Sequence, residues 1–297
     1  MNMLFAIFIR DMFFLSCMFN HLKTAVLLAA LSALVLFVGF LLGGNAGLTI
    51  ALILAVLMNF GMLFYSHKLV IAMYHAKPAK KSEYPQLHSM IETLAHKMQL
   101  PKPQIFIVPN PTPNAFATGP SPRKAVVACT EGILKLLSKD ELEGVLAHEM
   151  SHVKNRDMLV TTVAATMAAV ISYVASMAQF AALFGGFGRD NEGQNIVGLL
   201  VLAILTPIIA AILQLAISRS REYLADATGA KTLKDGKHLA SALQKIENSV
   251  KHHPMRGNAT MSSLFIVNPF RAQNFAALFS THPRTEERVK RLHEMKF

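Results

Sequence analysis

The chain has 297 residues, 53% of them hydrophobic and only 16% charged, with a mean hydropathy of +0.38, a balance that points to a membrane and away from a purely soluble domain. Its formal charge of +11 is scattered or flanks apolar runs, and no basic helix with interleaved aromatics is present, which excludes a nucleic-acid module. Two cysteines, Cys17 and Cys129, exclude a disulfide framework and a Cys-x-x-Cys metal pair.

Residues 1–23 form an N-terminal extension, apolar but interrupted by Arg10 and Asp11, which suits an interfacial helix better than a span. Residues 24–66 read as a transmembrane hairpin. A first apolar run extends from Thr24 to about Leu42, Gly43-Gly44-Asn45 breaks it, and a second run extends from Leu48 to about Tyr65. Each approaches the ~20 residues needed to cross the hydrocarbon core. Arg10 and Lys23 precede the hairpin and Lys68, Lys77, Lys80 and Lys81 follow it, while its turn has no basic residue, so both ends are expected on the cytoplasmic side.

Residues 67–157 read as the first part of a soluble domain. Ser82 and Pro85 suit a helix start, and Tyr84, Leu87, Ile91, Leu94 and Met98 recur at helical spacing. Gln104–Val108, Asn114–Thr118 and Ala125–Cys129 are strand candidates separated by Pro- and Gly-rich breaks, which predicts a three-stranded sheet. A helix from about Glu131 to Leu137 follows. Ser138-Lys139-Asp140-Glu141 is a capping box, so another helix starts directly after Ser138, with Leu142, Val145, Leu146 and Val153 as its apolar stripe.

That helix carries His148-Glu149-Met150-Ser151-His152. Histidines four residues apart share one helix face, a spacing that lets both imidazoles reach one tetrahedral zinc ion while Glu149 faces the water it would activate.

Residues 158–217 read as a second hairpin, with runs 158–184 and 196–217 around a polar break containing Arg189, Asp190 and Glu192. Lys154 and Arg156 before it and Arg219 and Arg221 after it repeat the orientation of the first. Four spans with both termini cytoplasmic result. The spans contain no Asp, Glu, Lys, Arg or His, which argues against a transporter or proton pump.

Residues 218–297 complete the soluble domain. Helices are expected over Gly236–Lys251 and from Thr285 onward, with Val289 and Leu292 on one face of the latter. A catalytic zinc needs a third protein ligand and one open position. Asn155 and Met158 stand where a metzincin would have Gly and His. Glu222 and Asp226, one helical turn apart, offer one carboxylate for the metal and one to orient a ligand imidazole. The competing reading makes both surface carboxylates that balance Arg219 and Arg221.

Taken together these residues resemble the HtpX-type membrane metalloproteases, gluzincins related to the CAAX prenyl proteases. The resemblance runs from about Leu22 to the end. It rests on Asn114-Ala115-Phe116-Ala117-Thr118-Gly119, on Glu143-Gly144-Val145-Leu146-Ala147-His148-Glu149-Met150-Ser151-His152, on Asn155 and Asp157, on Glu222-Tyr223-x-Ala225-Asp226 and on Thr281-His282-Pro283. It implies a mainly α membrane protein with four transmembrane helices and a zincin-like metalloprotease domain. It also implies one Zn²⁺ per chain on His148, His152 and Glu222, Glu149 as catalytic acid and base, and Asp226 behind a ligand. His282 is the candidate for stabilising the oxyanion, against a satisfied structural histidine. Asn114, Ala115, Phe116, Ala117 and Thr118 form the strand expected to pair with substrate backbone, against an ordinary strand. The implied substrates are unfolded or misassembled membrane proteins, and the implied setting is the inner membrane of a bacterium with the active site cytoplasmic. Met18-Phe19-Asn20-His21-Leu22-Lys23 resembles a family N-terminus, which makes Met18 the expected start of translation.

Two other functions compete. An intramembrane protease would place its metal motif inside an apolar span, whereas Lys139, Asp140, Glu141 and Glu143 precede this one. A catalytically inactive zinc-binding scaffold or sensor would have no need of Glu149.

Overall fold

A computed structural model of the chain describes residues 22, 26, 29–30, 32–40, 43–53, 56–57, 65, 67–68, 70–158, 160–161, 164, 171, 196–252 and 283–297. The chain forms two compact units, Met1–Met62 with Val160–Ile217, and Leu63–Leu159 with Ser218–Phe297.

In the first unit, Val35, Ala51, Ala164, Ile171, Ala210 and Ile217 form one buried cluster, so each of the four apolar runs contributes to it. Small residues bring the first two runs close. A Cβ on Gly39 would stand 2.8 Å from Ala51 Cβ and 2.9 Å from the Gly47 carbonyl oxygen, a separation only glycine permits. The opposite faces are apolar too: Phe37, Ile50, Leu57, Ile204, Leu205 and Ile212 are each at least half exposed. Such a surface is inverted relative to a soluble protein and suits lipid. Among the described residues one helix is long and apolar enough to cross a membrane, with its apolar part beginning at Ile204, and a shorter apolar helix covers Gly43–Ile53. The expected count of four spans is therefore matched by one such helix. Most of run 158–184 and parts of the first two lie outside the described residues.

The second unit is built on a mixed sheet of four strands, β1 (Lys77–Pro78), β2 (Gln104–Val108), β3 (Ala115–Thr118) and β4 (Val126–Thr130), in the order β1-β2-β4-β3. β2 and β4 are parallel, from Gln104↔Val126 to Val108↔Thr130; β1 and β3 pair antiparallel with them at the two edges. The three expected strands form, and β1 is added to them. Two residues, a lysine and a proline, carry no alternation that would mark β1 in the sequence. Asn114 falls just outside β3: its N–H and carbonyl oxygen exchange hydrogen bonds with the Thr130 hydroxyl, at 2.9 and 3.0 Å.

Helix α1 (Pro85–Met98) starts on a proline at its first position, where the missing N–H costs nothing, and buries Leu87, Ile91, Leu94 and Met98. Helix α2 (Glu131–Leu136) is short and capped by the Thr130 hydroxyl. Helix α3 (Lys139–Lys154) begins with the expected capping box: the Ser138 hydroxyl accepts from Glu141 N, and the Glu141 carboxylate accepts from Ser138 N at 2.9 Å. Glu141 also accepts from Ser241 at 2.7 Å and Lys245 at 2.8 Å, both on α5 (Lys237–His252), which anchors the start of α3. Between these helices runs α4 (Ile196–Leu233), whose final part from Ser218 belongs to this unit; the last helix is α6 (Thr285–Glu294). Thr285 is the first residue of α6, with Arg284 before it in the N-cap position.

One core joins sheet and helices, from Ile91 and Leu94 through Ile105, Val127 and Cys129 to Leu146, Met150, Leu243 and Leu292. Burial, with the negative charge of Glu149 adding to it, pushes the Cys129 thiol up to about 12.

Candidate metal centre

The centre is assembled from α3, α4 and α6 with one contact from β3. The turn spacing of α3 places the ring nitrogens Nε2 of His148 and His152 3.2 Å apart. From α4, Glu222 brings Oε2 to 3.6 Å from His148 Nε2 and Oε1 to 3.5 Å from His152 Nε2. One ligand atom from each residue lies within 4.8 Å of the others. Four ligands at 2.0–2.1 Å from zinc in a tetrahedron stand roughly 3.3–3.4 Å from one another. The three residues thus fit zinc in chemistry and in spacing.

Each imidazole is oriented from behind. His148 Nδ1 lies 2.9 Å from Asp226 Oδ1, and His152 Nδ1 lies 2.8 Å from Asp157 Oδ2. A carboxylate only accepts, so the hydrogen-bonded Nδ1 of His152 carries the proton and its Nε2 lone pair is turned toward the shared point, whereas His148 Nδ1 stands close to Asp226 without an aligned hydrogen bond. Asp226 lies behind the His148 ring. Glu222 and Asp226 are 6% and 5% exposed, so they are not the surface carboxylates of the competing reading.

Both aspartates are themselves held by arginines. Arg288 on α6 donates from Nε and Nη2 to the two oxygens of Asp226, at 2.9 and 2.7 Å, and its Nη1 lies 3.5 Å from Glu222 Oε2. Arg221 pairs closely with Asp157 and donates to the Asn155 carbonyl oxygen at 2.8 Å. Both guanidinium groups are buried. Burial opposes the charge on Asp226, but Arg288 and His148 outweigh it and hold the carboxyl down at about 2. The sequence reading used Arg221 only as a basic flank of the second hairpin and as a partner in the competing surface reading, and it did not single out Arg288. A signal was there: Arg288 lies four residues before Leu292, on the buried face of α6.

Glu149 is 5% exposed, and its Oε2 accepts a 3.0 Å bond from the backbone N–H of Ala117 in β3. Burial, supported by the charge of Glu222, raises its pKa against the opposing pull of His148, His152 and the Ala117 bond. A raised carboxyl is suited to taking and returning protons. β3 is an edge strand, and all of its residues are buried. The close approach of α3 and α4 depends on Gly229: a Cβ there would stand 3.1 Å from His148 N and 3.2 Å from the Ala147 carbonyl oxygen. His282 lies outside the described residues.

Residues 81–296 match the model of peptidase family M48. The chain is 49% identical over 274 residues to a protein named Protease HtpX homolog from Pyrococcus furiosus, covering 92% of this chain and 95% of that one. It is 48% identical over 281 residues to a Protease HtpX homolog from Syntrophobacter fumaroxidans, covering 93% and 99%. Its fold resembles the crystal structure of S. mikatae Ste24p with a TM-score of 0.56 at 20% identity, spanning 93% of this chain and 66% of that one.

Proposed function

The chain belongs to peptidase family M48, a metallopeptidase that hydrolyses peptide bonds, and on that premise we propose a zinc endopeptidase anchored in a membrane and working at its cytoplasmic face. The observation that carries the metal is the spacing of the three ligand atoms, with an aspartate behind each imidazole. Zinc would be held by His148, His152 and Glu222, and it supplies Lewis acidity that ionises water near neutral pH and polarises a carbonyl. Glu149 takes the proton. Its Oε2 is fixed by the Ala117 N–H, which leaves Oε1 to accept the proton and return it to the leaving amine. His282 is the proposed oxyanion donor.

The substrate lies extended along the outer edge of β3, where backbone pairing gives affinity with little side-chain selection. That suits unfolded or misassembled membrane proteins. The four-run cluster of the first unit and its exposed apolar faces support a bundle of four spans, and the positive-inside pattern supports cytoplasmic termini. The domains follow: an extension over 1–23, hairpins over 24–66 and 158–217, and a protease domain in two parts, 67–157 and 218–297.

The test compares wild type with Glu149→Gln in detergent, following zinc content and casein cleavage together. About one zinc in each protein with cleavage by wild type alone is the expected result. Equal cleavage by both would remove Glu149 from the mechanism, and zinc without cleavage by either would favour a binding role.

A further inference from the structure

A cavity of about 640 Å³ opens in the second unit where α1 and α3 end and where β3 turns toward β4. Its walls are largely apolar, with Met98, Leu100, Pro120 and Met158 among them, and no acidic residue contributes. Three cations stand around it: Arg123, Lys154 and Arg156, all exposed. None pairs with a carboxylate among the described residues. Two helix C-termini point here and add at most about half a negative charge each, against three full positive charges, so roughly +2 remains. The end of α1 is also satisfied locally, since Leu100 N donates to the Ala95 carbonyl at 2.9 Å through a left-handed Gln99.

The sequence gives this cavity a context: Met158, in its wall, is the first residue of the third apolar run. A cavity that is greasy inside, cationic at its mouth and next to membrane-directed chain matches an amphiphile with a negative headgroup. We propose that it binds one anionic phospholipid per chain, with the phosphate against Arg123, Lys154 and Arg156 and the glycerol and first acyl carbons along the apolar wall. The proposal rests on the membrane reading above. It differs from general attraction to a charged surface in requiring these three residues and a one-to-one stoichiometry.

The full-length protein is first floated with phosphatidylcholine vesicles, which tests membrane insertion alone. A chain that does not float would overturn the membrane reading, and the lipid site with it. The floating protein, in detergent, is then titrated with short-chain phosphatidylglycerol, short-chain phosphatidylcholine and inorganic phosphate, with stoichiometry read by native mass spectrometry. Saturable binding of one phosphatidylglycerol, much tighter than either other probe, is expected. Each basic residue facing an anionic headgroup contributes about fivefold, so the triple variant Arg123→Gln, Lys154→Gln, Arg156→Asn should bind on the order of a hundredfold more weakly. Asparagine is chosen for position 156 because that residue has φ 56, which asparagine tolerates. Lys154→Gln alone, on an exposed side chain, should still cost about fivefold if the triple variant does not fold. A control removing three exposed charges away from the cavity wall, Lys135→Gln, Lys139→Gln and Lys290→Gln, should bind as wild type does.

Unchanged binding by the triple variant or by Lys154→Gln overturns the site, as does an equal loss in the control. Phosphate binding as tight as the lipid would make it an anion site only. A changed residue preference in peptide cleavage with unchanged lipid binding would make it a substrate subsite and overturn the proposal.

Discussion

His148 and His152 stand one turn apart on α3, and each is backed by an aspartate that is backed by an arginine. On the His152 side the aspartate comes from the same stretch of chain, five residues on, and the imidazole is 16% exposed. On the His148 side the brace is drawn from three helices, and the imidazole is 2% exposed. The arginines differ more. Arg221 reaches away from the ligands to Asp157 and the Asn155 carbonyl, whereas Arg288 lies within 3.5 Å of Glu222 and 3.4 Å of His148 Nε2. One brace only orients a ring. The other also holds a positive charge beside a ligand carboxylate, and Asp226 is what keeps that charge occupied.

Breaking the arginines should have the largest effect. Arg288→Met and Arg221→Met each leave a buried aspartate without its partner, at a cost of about 3–5 kcal/mol. Chemical unfolding of the detergent-solubilised protein measures it, and a loss under 1 kcal/mol for either would mean that its pair is not sealed from water. The aspartates sharpen the contrast. Asp226→Asn frees Arg288 to neutralise Glu222, so zinc affinity should fall about 100-fold, against about 10-fold for Asp157→Asn. Competition with a chromophoric chelator gives both values, and equal losses would erase the distinction between the two sides. Gly229→Ala should follow. Its methyl meets backbone at 3.1 Å, which outweighs the helix propensity gained, so the His148 side shifts and zinc binds about tenfold more weakly while helix content holds.

The smallest effect lies at the far end of α3. Burial would raise Glu141, but its bonds from Lys245, Ser241 and Ser138 overcome that and hold it at about 2, below its ordinary value of 4.5. A depressed carboxyl stabilises the fold at pH above 4.5, and that contribution is lost as pH falls toward 2. Thermal midpoints should therefore fall more steeply over that window in wild type than in Glu141→Gln. Parallel curves would assign the acid sensitivity to other groups, with Asp226 first among them.

Local periodicities were readable from the residues alone. The capping box set the start of α3, the four-residue spacing set the two histidines, and the carboxylate pair on α4 followed from one helical turn. What escaped depends on distant packing. β1 is too short to carry a pattern, and it exists because Ala79 N can reach the Ile105 carbonyl at 2.8 Å. Arg221 and Arg288 look like surface residues by type, and they are buried only because an aspartate 64 or 62 positions away meets each of them. The exchange of hydrogen bonds between Asn114 and Thr130, which makes β3 begin one residue later than expected, likewise depends on a partner 16 residues on.

Cys129 is sealed in β4, fully buried, with its thiol held protonated at about 12. An alkylating reagent reacts with thiolate, so the native protein shields this sulfur twice over, by access and by charge. Modification of Cys129 in a Cys17→Ser background then becomes a clock. Its rate reports how often the sheet beside Glu149 opens, and bound zinc should slow that clock in proportion to how strongly it ties the helices together.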